Sequence, residues 1–336
     1  MSLLYLMSCK LPMEVQAGKA SIPQSSSRCR PGLTVLSCMQ VCKSVLALDP
    51  AHERANFKCA SALRQLRRQS DALLYYRRHL EHFPEDEQAR FWVGILTGAD
   101  VARAPASHVA SLFDCYAHKF ESHLIDTLQY RTPDVLREAV MAAADQVGAS
   151  MDANSACQRK FWGCCLDLGC GTGLMGPLLR ECVGSLRGVD LSEKMIAKAR
   201  EKGLYDELVV DDIERFLRRQ AGMRSTCELL VAADVLVYLG DLAPLFTLCA
   251  TVAAPGCLFA LSTEHQGAEG GQGGSEDDRG YVATLTGRFQ HAQEYVVRAA
   301  TEAGWSLVSC SEETIRCNKG QPIAGDVFVF WMQTRD

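Results

Sequence analysis

The second half of the chain alternates short apolar runs with helical stretches. Seven runs stand out by their Val, Leu, Ala, Cys and aromatic residues: 164–168, 185–189, 207–210, 228–233, 256–262, 305–310 and 326–332. Strands that are apolar on both faces and separated by helices are typical of a mostly parallel sheet covered on both sides. The pattern therefore predicts an α/β fold with seven strands.

The N-terminal part has apolar positions at helical spacing instead, from residue 33 to about residue 96. Pro50 and Pro84 each follow a helix-like run and are 34 positions apart, which is the period of the tetratricopeptide repeat. Small and large residues recur where two antiparallel helices would interlock: Ala60, Leu63, Ala72 and Tyr76. We expect a small all-helical, tetratricopeptide-like region at 33–108 that serves a protein partner or self-association.

Composition limits the class of protein. The chain has 336 residues, of which 48% are hydrophobic, enough for one large domain and a smaller one. A net charge of −5 gives no global attraction to nucleic acid or an anionic membrane. We expect neither as a partner, and the arginines at 64, 67, 68, 77 and 78 are interpreted as a solvated face. The sixteen cysteines lack metal-ligand spacing, so we expect reduced, buried thiols and no metal.

Residues 1–32 are basic, serine-rich and poor in acids. A disordered tail on a cytoplasmic protein is one interpretation, and a transit peptide for the mitochondrion or plastid is the other. No apolar run reaches the roughly 18 residues of a membrane span, and none is expected.

The segment from Cys165 to Leu174 predicts a buried strand that breaks into a glycine loop and then enters a helix. Residues 171–176 fit the GxGxxG pattern of dinucleotide sites, with Asp190 19 positions after Gly171 as the ribose-binding acid. Asp167 argues for another ligand, because a carboxylate at the mouth of the loop would repel a pyrophosphate. It would favour S-adenosylmethionine, which carries a sulfonium, an ammonium and no phosphate.

Asp167, Gly169, Gly171 and Gly173 together resemble the first motif of the class I S-adenosylmethionine-dependent methyltransferases. The resemblance implies a seven-stranded Rossmann-like methyltransferase sheet over 109–336, whose last strand runs antiparallel between the fifth and sixth. It also implies that Asp190, with Leu191 beside it, accepts hydrogen bonds from the ribose hydroxyls. Asp212 would receive the exocyclic amine of the adenine, and Ile213 would pack on its ring.

A helical stripe of Phe113, Tyr116, Phe120 and Leu124 precedes the first strand. The run resembles the lead-in helix of a group of predicted methyltransferases that carry N-terminal tetratricopeptide repeats. In related enzymes this helix closes over the methionine end of the cofactor. Tyr116 is therefore a candidate for binding the cofactor carboxylate or for the roof of the active site, and Arg131 is a weaker one.

The methyl acceptor should lie at the carboxyl ends of strands four and five. Asp234 and Tyr238 follow strand four, without the Asn/Asp-Pro-Pro-Tyr/Phe signature of many enzymes that methylate base or glutamine amines. Gly287, Arg288 and His291 match a Gly-Arg-aromatic-x-His segment of the resembling group, with His291 predicted near the start of a helix. The candidate catalytic residues are His291, Asp234 and Tyr238, and the glycine-rich stretch 267–280 is interpreted as a solvated loop.

Three functions stay open at this point. The first is methyl transfer from S-adenosylmethionine to a small molecule or a protein side chain. The second is RNA methylation, and the third is a non-catalytic scaffold that binds the cofactor while its repeats recruit a partner.

Overall fold

The computed structural model describes residues 14–16, 19–21, 35–122, 124, 130–147, 161–266, 279–318 and 321–333. The chain divides into two compact units. The first comprises Met1–His108 with Thr284–Gly287, and the second comprises Val109–Ala283 with Arg288–Asp336. The proposed tail at 1–32 lies outside the described residues, apart from an antiparallel pair of strands, β1 (Glu14–Gln16) and β2 (Lys19–Ser21). The glycine-rich residues 267–278 lie outside them as well.

The first unit is helical, as predicted. Four helices follow one another along the chain: α1 (Val35–Leu48), α2 (Glu53–Gln65), α3 (Gln69–His82) and α4 (Glu87–Thr97). Consecutive helices pack on each other. The four residues predicted to interlock are all buried: Ala60, Leu63, Ala72 and Tyr76. The assignment to a tetratricopeptide group stays a prediction.

Local side-chain chemistry fixes the α3–α4 corner. Asp86 caps α4 by accepting a hydrogen bond from the Ala89 amide at 3.0 Å. Its second oxygen lies 2.8 Å from Nε2 of the buried His79, whose Nδ1 donates to the Glu53 carbonyl at 2.9 Å. Gly98 then ends α4 in the left-handed conformation, at φ 70°.

Residues 284–287 belong to this first unit. The Arg64 guanidinium stacks on the Trp92 ring at 3.5 Å and donates to the Leu285 carbonyl at 2.9 Å. A Cβ on Gly287, whose φ is +80°, would lie 2.7 Å from Trp92. Arg64 is thus engaged with Trp92 and Leu285 of its own unit, so the interpretation as a solvated face does not hold for this arginine.

The second unit contains one mixed sheet. Its strands are β3 (Trp162–Leu168), β4 (Val183–Asp190), β5 (Glu207–Val210), β6 (Cys227–Ala232), β7 (Ala253–His265), β8 (Tyr281–Ala283), β9 (Phe289–His291), β10 (Trp305–Asn318) and β11 (Gln321–Met332). The main order is β10-β11-β7-β6-β3-β4-β5, and β11 runs antiparallel to both of its neighbours. The seven predicted strands and the antiparallel position of the last are confirmed. The short strands β8 and β9 were not predicted.

Helices cover both faces of this sheet. Two helices precede the sheet in the chain, α5 (Ala106–Tyr116) and α6 (Phe120–Ser122). The helices on its faces are α7 (Thr132–Gln146), α8 (Gly176–Leu179), α9 (Glu193–Lys202), α10 (Ile213–Gly222), α11 (Ala243–Val252) and α12 (Gln293–Glu302). Phe216, Phe246 and Val296 pack on one face, and Leu136, Val140 and Leu179 pack on the other. The sheet core also buries several thiols, those of Cys165, Cys227, Cys249 and Cys257.

The described residues contain neither a membrane-spanning helix nor a metal-binding group. None of their helices combines the length and the apolar character that crossing a bilayer requires. None of their His, Cys, Asp and Glu side chains form a group of three or more that could hold a metal ion.

Candidate active site

The glycine loop lies directly after β3. Gly169, Gly171 and Gly173 have φ values of +74°, +55° and +80°, which side chains other than glycine rarely adopt. A Cβ on Gly169 would lie 2.4 Å from the Val235 side chain, whereas one on Gly171 would meet nothing closer than the Phe120 ring at 3.9 Å. The loop is closely packed on one side and offers bare backbone at Gly171.

Asp190 connects this loop to the next strand–helix turn. It is the last residue of β4, and its Oδ2 accepts a hydrogen bond from the Gly171 amide at 2.9 Å. Its Oδ1 accepts from the Ser192 amide at 2.8 Å. Burial raises the pKa of Asp190 to about 6, and these two backbone hydrogen bonds oppose the rise. The residue as a whole is only partly buried.

Asp167 does not occupy the place expected from the sequence. Its side chain is 1% exposed, and its Oδ2 accepts a hydrogen bond from the Tyr205 hydroxyl at 2.6 Å. Burial raises the pKa of Asp167 to about 7. The expectation of a carboxylate guarding the mouth of the loop is therefore corrected: Asp167 supports the loop from beneath, because the Tyr205 ring also lies against Gly173 and Gly176.

The proposed adenine contacts lie at the end of β5. Asp212 caps α10, since its Oδ1 accepts from the amides of Glu214 and Arg215 at 3.1 and 3.3 Å. Leu191, Asp212 and Ile213 are all partly exposed. Their contacts with a cofactor stay predictions.

The lead-in segment packs over the carboxyl ends of these strands. Asp114 Oδ1 accepts from the Ser192 hydroxyl at 2.5 Å and from the Lys194 amide at 3.3 Å, which fixes α5 on the start of α9. Ser192 caps α9 as predicted, accepting from the Met195 amide at 3.1 Å.

An aromatic bridge of Phe113, Tyr116, Phe120 and Tyr238 runs from the glycine loop toward strand β6. The ring centroids of Phe113 and Tyr238 are 5.6 Å apart, and those of Tyr116 and Phe120 are 5.4 Å apart. Tyr116 is 8% exposed, and burial raises the pKa of its phenol. Three residues of the predicted stripe lie in this bridge, but not on one helix, because α5 ends at Tyr116 and α6 begins at Phe120. The contact of Tyr116 with a cofactor stays a prediction.

Asp234 follows β6 in the left-handed conformation, at φ +54°. Its amide donates to the Ser262 hydroxyl at 2.9 Å. This conformation is uncommon for residues other than glycine, although aspartate adopts it more readily than most. The backbone directs the Asp234 side chain into a cluster of charged residues.

This cluster, the charge square, consists of Asp234, Glu264, Arg288 and Arg316. Arg316 contacts Asp234 Oδ1 at 3.0 Å and Glu264 Oε1 at hydrogen-bond distance, while Arg288 contacts Glu264 Oε1 at 3.0 Å. The fourth side is long: Arg288 Nη2 is 3.4 Å from Asp234 Oδ2. Two positive and two negative side chains thus lie at the ends of β6 and β7.

Two tyrosines border the charge square. The Arg288 guanidinium lies 5.5 Å from the centroid of the Tyr238 ring. Burial, together with the charge of Asp234, raises the pKa of the Tyr130 phenol. Arg131, the weaker sequence candidate, is exposed at the start of α7.

His291 differs most from its prediction. It lies in β9, while α12 begins at Gln293. The ring is fully buried, and its Nε2–H donates to the carbonyls of Leu239 at 2.9 Å and Gly240 at 3.2 Å. Burial lowers the pKa of His291 to about 4. A neutral, enclosed imidazole that holds the turn after Tyr238 supports the site and is poorly placed to act as a base.

Residues 165–256 match a family model described as a methyltransferase domain. This range runs from the first strand to the start of the fifth and contains the glycine loop, Asp190 and Asp234.

The curated sequence relatives are also methyltransferases by name. The ubiquinone biosynthesis O-methyltransferase of Bordetella pertussis is 29% identical over 102 residues, which is 29% of this chain and 41% of that protein. The Bordetella parapertussis protein of the same name matches with the same identity and coverage. The chain thus spans well under half the length of the curated relatives that it matches.

Among solved structures, an S-adenosylmethionine-dependent methyltransferase from Clostridium acetobutylicum is 14% identical, with a TM-score of 0.44, covering 65% of this chain and 98% of that one. The magnesium protoporphyrin IX methyltransferase of Synechocystis, with bound S-adenosylhomocysteine, is 14% identical with a TM-score of 0.42, covering 78% and 99%.

Proposed function

We propose that this chain, which carries an S-adenosylmethionine-dependent methyltransferase domain, transfers the methyl group of that cofactor to a small-molecule or protein acceptor at the charge square. The observation that supports it best is Asp190. Its carboxylate, at the end of β4, holds both the bare Gly171 amide and the start of the next helix, and the residue is partly exposed.

The residues present suit the cofactor. Asp190 would accept hydrogen bonds from the ribose hydroxyls, and the open face of Gly171 would lie against the methionine portion. Asp212 would take the exocyclic amine of the adenine and Ile213 its ring. Tyr116, in the roof, would close over the methionine end.

The cofactor supplies an activated methyl group on a positively charged sulfur, so the protein contributes mainly alignment. Holding an acceptor in line with the methyl and sulfur atoms is worth on the order of 7 to 11 kcal/mol. Asp234, at the end of β6, and Tyr238, in the roof, would position the acceptor. His291 would act through the Leu239–Gly240 turn that it holds.

The experiment is incubation of the purified protein with S-adenosylmethionine labelled in its methyl group and an extract of the source cells. Labelled products are then separated into metabolites and macromolecules. Label in either fraction, dependent on the protein, is the expected result. Tight cofactor binding with no labelled product would contradict the proposal and favour a non-catalytic scaffold.

A further inference from the structure

We infer that Arg64 and Trp92 are positioning residues for methyl transfer, because they hold the turn from which Arg288 enters the charge square. This inference rests on the proposed function and adds two residues to the support of that same site. The turn comprises residues 284–287, which belong to the first compact unit, and the chain enters the second unit at the next residue, Arg288.

The turn is closed by hydrogen bonds of its own. The Gly287 amide donates to the Thr284 carbonyl at 2.9 Å, and the hydroxyl oxygens of Thr284 and Thr286 are 2.6 Å apart. The outer part of the turn is open to solvent, since Leu285 is 41% exposed. Exposed turns fluctuate more than the elements that they connect unless further contacts hold them. The turn therefore needs an anchor if the residue after it is to keep a fixed position.

Arg64 and Trp92 supply this anchor and together form the clamp. Trp92, on α4, is buried, and the Arg64 guanidinium, from α2, lies 3.5 Å from the centroid of its ring. Arg64 also donates to the Leu285 carbonyl at 2.9 Å. Because the guanidinium is planar and stacked on one ring, its hydrogen bond fixes the carbonyl in direction as well as in distance.

The strands on either side of the turn are too short to hold it by themselves. β8 and β9 have three residues each and pair with each other, and β9 pairs with β7 through Gln290 and His291. A short two-stranded hairpin is marginally stable in water. The base of this hairpin is fixed by His291, which donates to the carbonyls of Leu239 and Gly240. The clamp fixes its tip, so Arg288 lies between two anchors.

Arg288 has to be placed accurately because it meets three groups at once. Its Nη1 lies 3.0 Å from Glu264 Oε1, its Nη2 lies 3.4 Å from Asp234 Oδ2, and its guanidinium lies 5.5 Å from the centroid of the Tyr238 ring. A displaced guanidinium would leave two largely buried carboxylates with less compensating charge. A misplacement of about 1 Å near reacting groups can lower turnover by about 10²-fold. The clamp therefore acts on turnover through Arg288.

The spacing of Gly287, Arg288 and His291 fits this arrangement. Gly287 has a φ of +80°, and a Cβ there would lie 2.7 Å from the Trp92 ring. Glycine thus lets the chain pass closely over the indole, after which Arg288 reaches the charge square and His291 holds the base of the hairpin.

Arg64→Met tests the clamp, because methionine keeps an apolar stem and loses both the charge and the hydrogen bond to Leu285. Turnover in the labelled-extract assay should fall by about tenfold or more. The dissociation constant of S-adenosylmethionine should stay within about twofold of wild type, since the glycine loop follows β3, two strands away from β7. Arg64→Lys, which can still donate to the carbonyl, should retain more turnover than Arg64→Met.

The matched control is Arg78→Met, at an exposed arginine on α3 that lies 5.6 Å from the centroid of the Tyr75 ring. This variant also loses a contact between an arginine and an aromatic ring in the same unit, and its turnover should equal that of wild type. Equal turnover in Arg64→Met and Arg78→Met would overturn the inference.

Hydrogen exchange separates positioning of the turn from general damage to the helical unit. In Arg64→Met, peptides covering residues 284–292 should exchange at least about tenfold faster than in wild type, while those of α3 should exchange at the wild-type rate. Unchanged exchange at 284–292 would overturn the inference even if turnover fell. If the wild type gave no labelled product but the exchange changed as expected, the proposed function would fail while the clamp stood.

Discussion

The Tyr205–Asp167 hydrogen bond beneath the glycine loop allows a quantitative prediction. The Tyr205 ring lies against Gly173 and Gly176, and its hydroxyl donates to Asp167 at 2.6 Å. Tyr205→Phe keeps the ring and removes the hydroxyl, so the variant isolates one buried hydrogen bond.

The stability lost in Tyr205→Phe depends on the protonation state of Asp167. Burial raises the pKa of Asp167 to about 7, and the hydrogen bond from Tyr205 opposes this rise. At about pH 5 the native carboxyl is protonated, and a neutral hydrogen bond contributes about 1 kcal/mol. At about pH 8.5 it is ionised, and a hydrogen bond to a charged group contributes about 1.5 to 3 kcal/mol. Tyr205→Phe should therefore lose more stability at the higher pH.

The sign for the wild type follows from linkage. Because the native pKa of Asp167 lies above its unfolded value of about 4, the stabilisation from this group is complete below about pH 4 and is lost as the pH rises through about 7. In Tyr205→Phe the native pKa is higher still, so the same loss extends further into the alkaline range.

The assay is urea unfolding of the wild type and the variant, without cofactor, at both pH values. Tyr75→Phe, at a half-buried tyrosine of the helical unit, is the control and should change stability equally at both. A loss that does not depend on pH, or one below about 0.5 kcal/mol at alkaline pH, would refute the assignment of this pair.

Three further substitutions test other parts of the site. Gly171→Ala should weaken S-adenosylmethionine binding by about tenfold or more, because it places a methyl group on the open face of the loop. Gly203 has the similar φ of +64° and open space around it, so Gly203→Ala is the control. It should cost similar stability and leave the affinity measured by calorimetry unchanged. His291→Gln can still donate to the Leu239 and Gly240 carbonyls, so it should keep most of the turnover that His291→Ala loses. An equal loss of turnover in both variants would restore His291 as a candidate base. Tyr116→Phe should raise the cofactor dissociation constant severalfold, and an unchanged constant would make Tyr116 a purely structural part of the roof.

Local patterns in the sequence predicted the geometry of the proposed cofactor site. The glycine loop, the Asp190 position and the cap at Ser192 each depend on a few neighbouring residues after an apolar strand. The position of Asp167 was wrong because its partner, Tyr205, is 38 residues away in sequence. The pattern of apolar and polar residues along a strand can indicate that a side chain is buried, but it does not show which distant residue that side chain contacts.

The proposed acceptor site depends on distant pairings that the sequence did not reveal. Glu264 and Arg316 were not identified, since they meet only where β7, β11 and β10 come together. A register shift between Thr314 and Arg316 marks a bulge, which re-aims side chains in a sheet. The signal that existed was chemical: Glu264 lies near the end of β7, where the apolar run of that strand gives way to polar residues. His291 was misplaced because β9 is three residues long, too short for periodicity to separate it from the helix that follows.

The bare-backbone loop held by Asp190 is proposed to bind S-adenosylmethionine. Isothermal titration calorimetry of the full chain with S-adenosylmethionine and, separately, with NADH measures this binding. We expect saturable binding of S-adenosylmethionine, weakened in Asp190→Asn, and no heat of binding for NADH. Saturable binding of NADH with none for S-adenosylmethionine would refute the proposal.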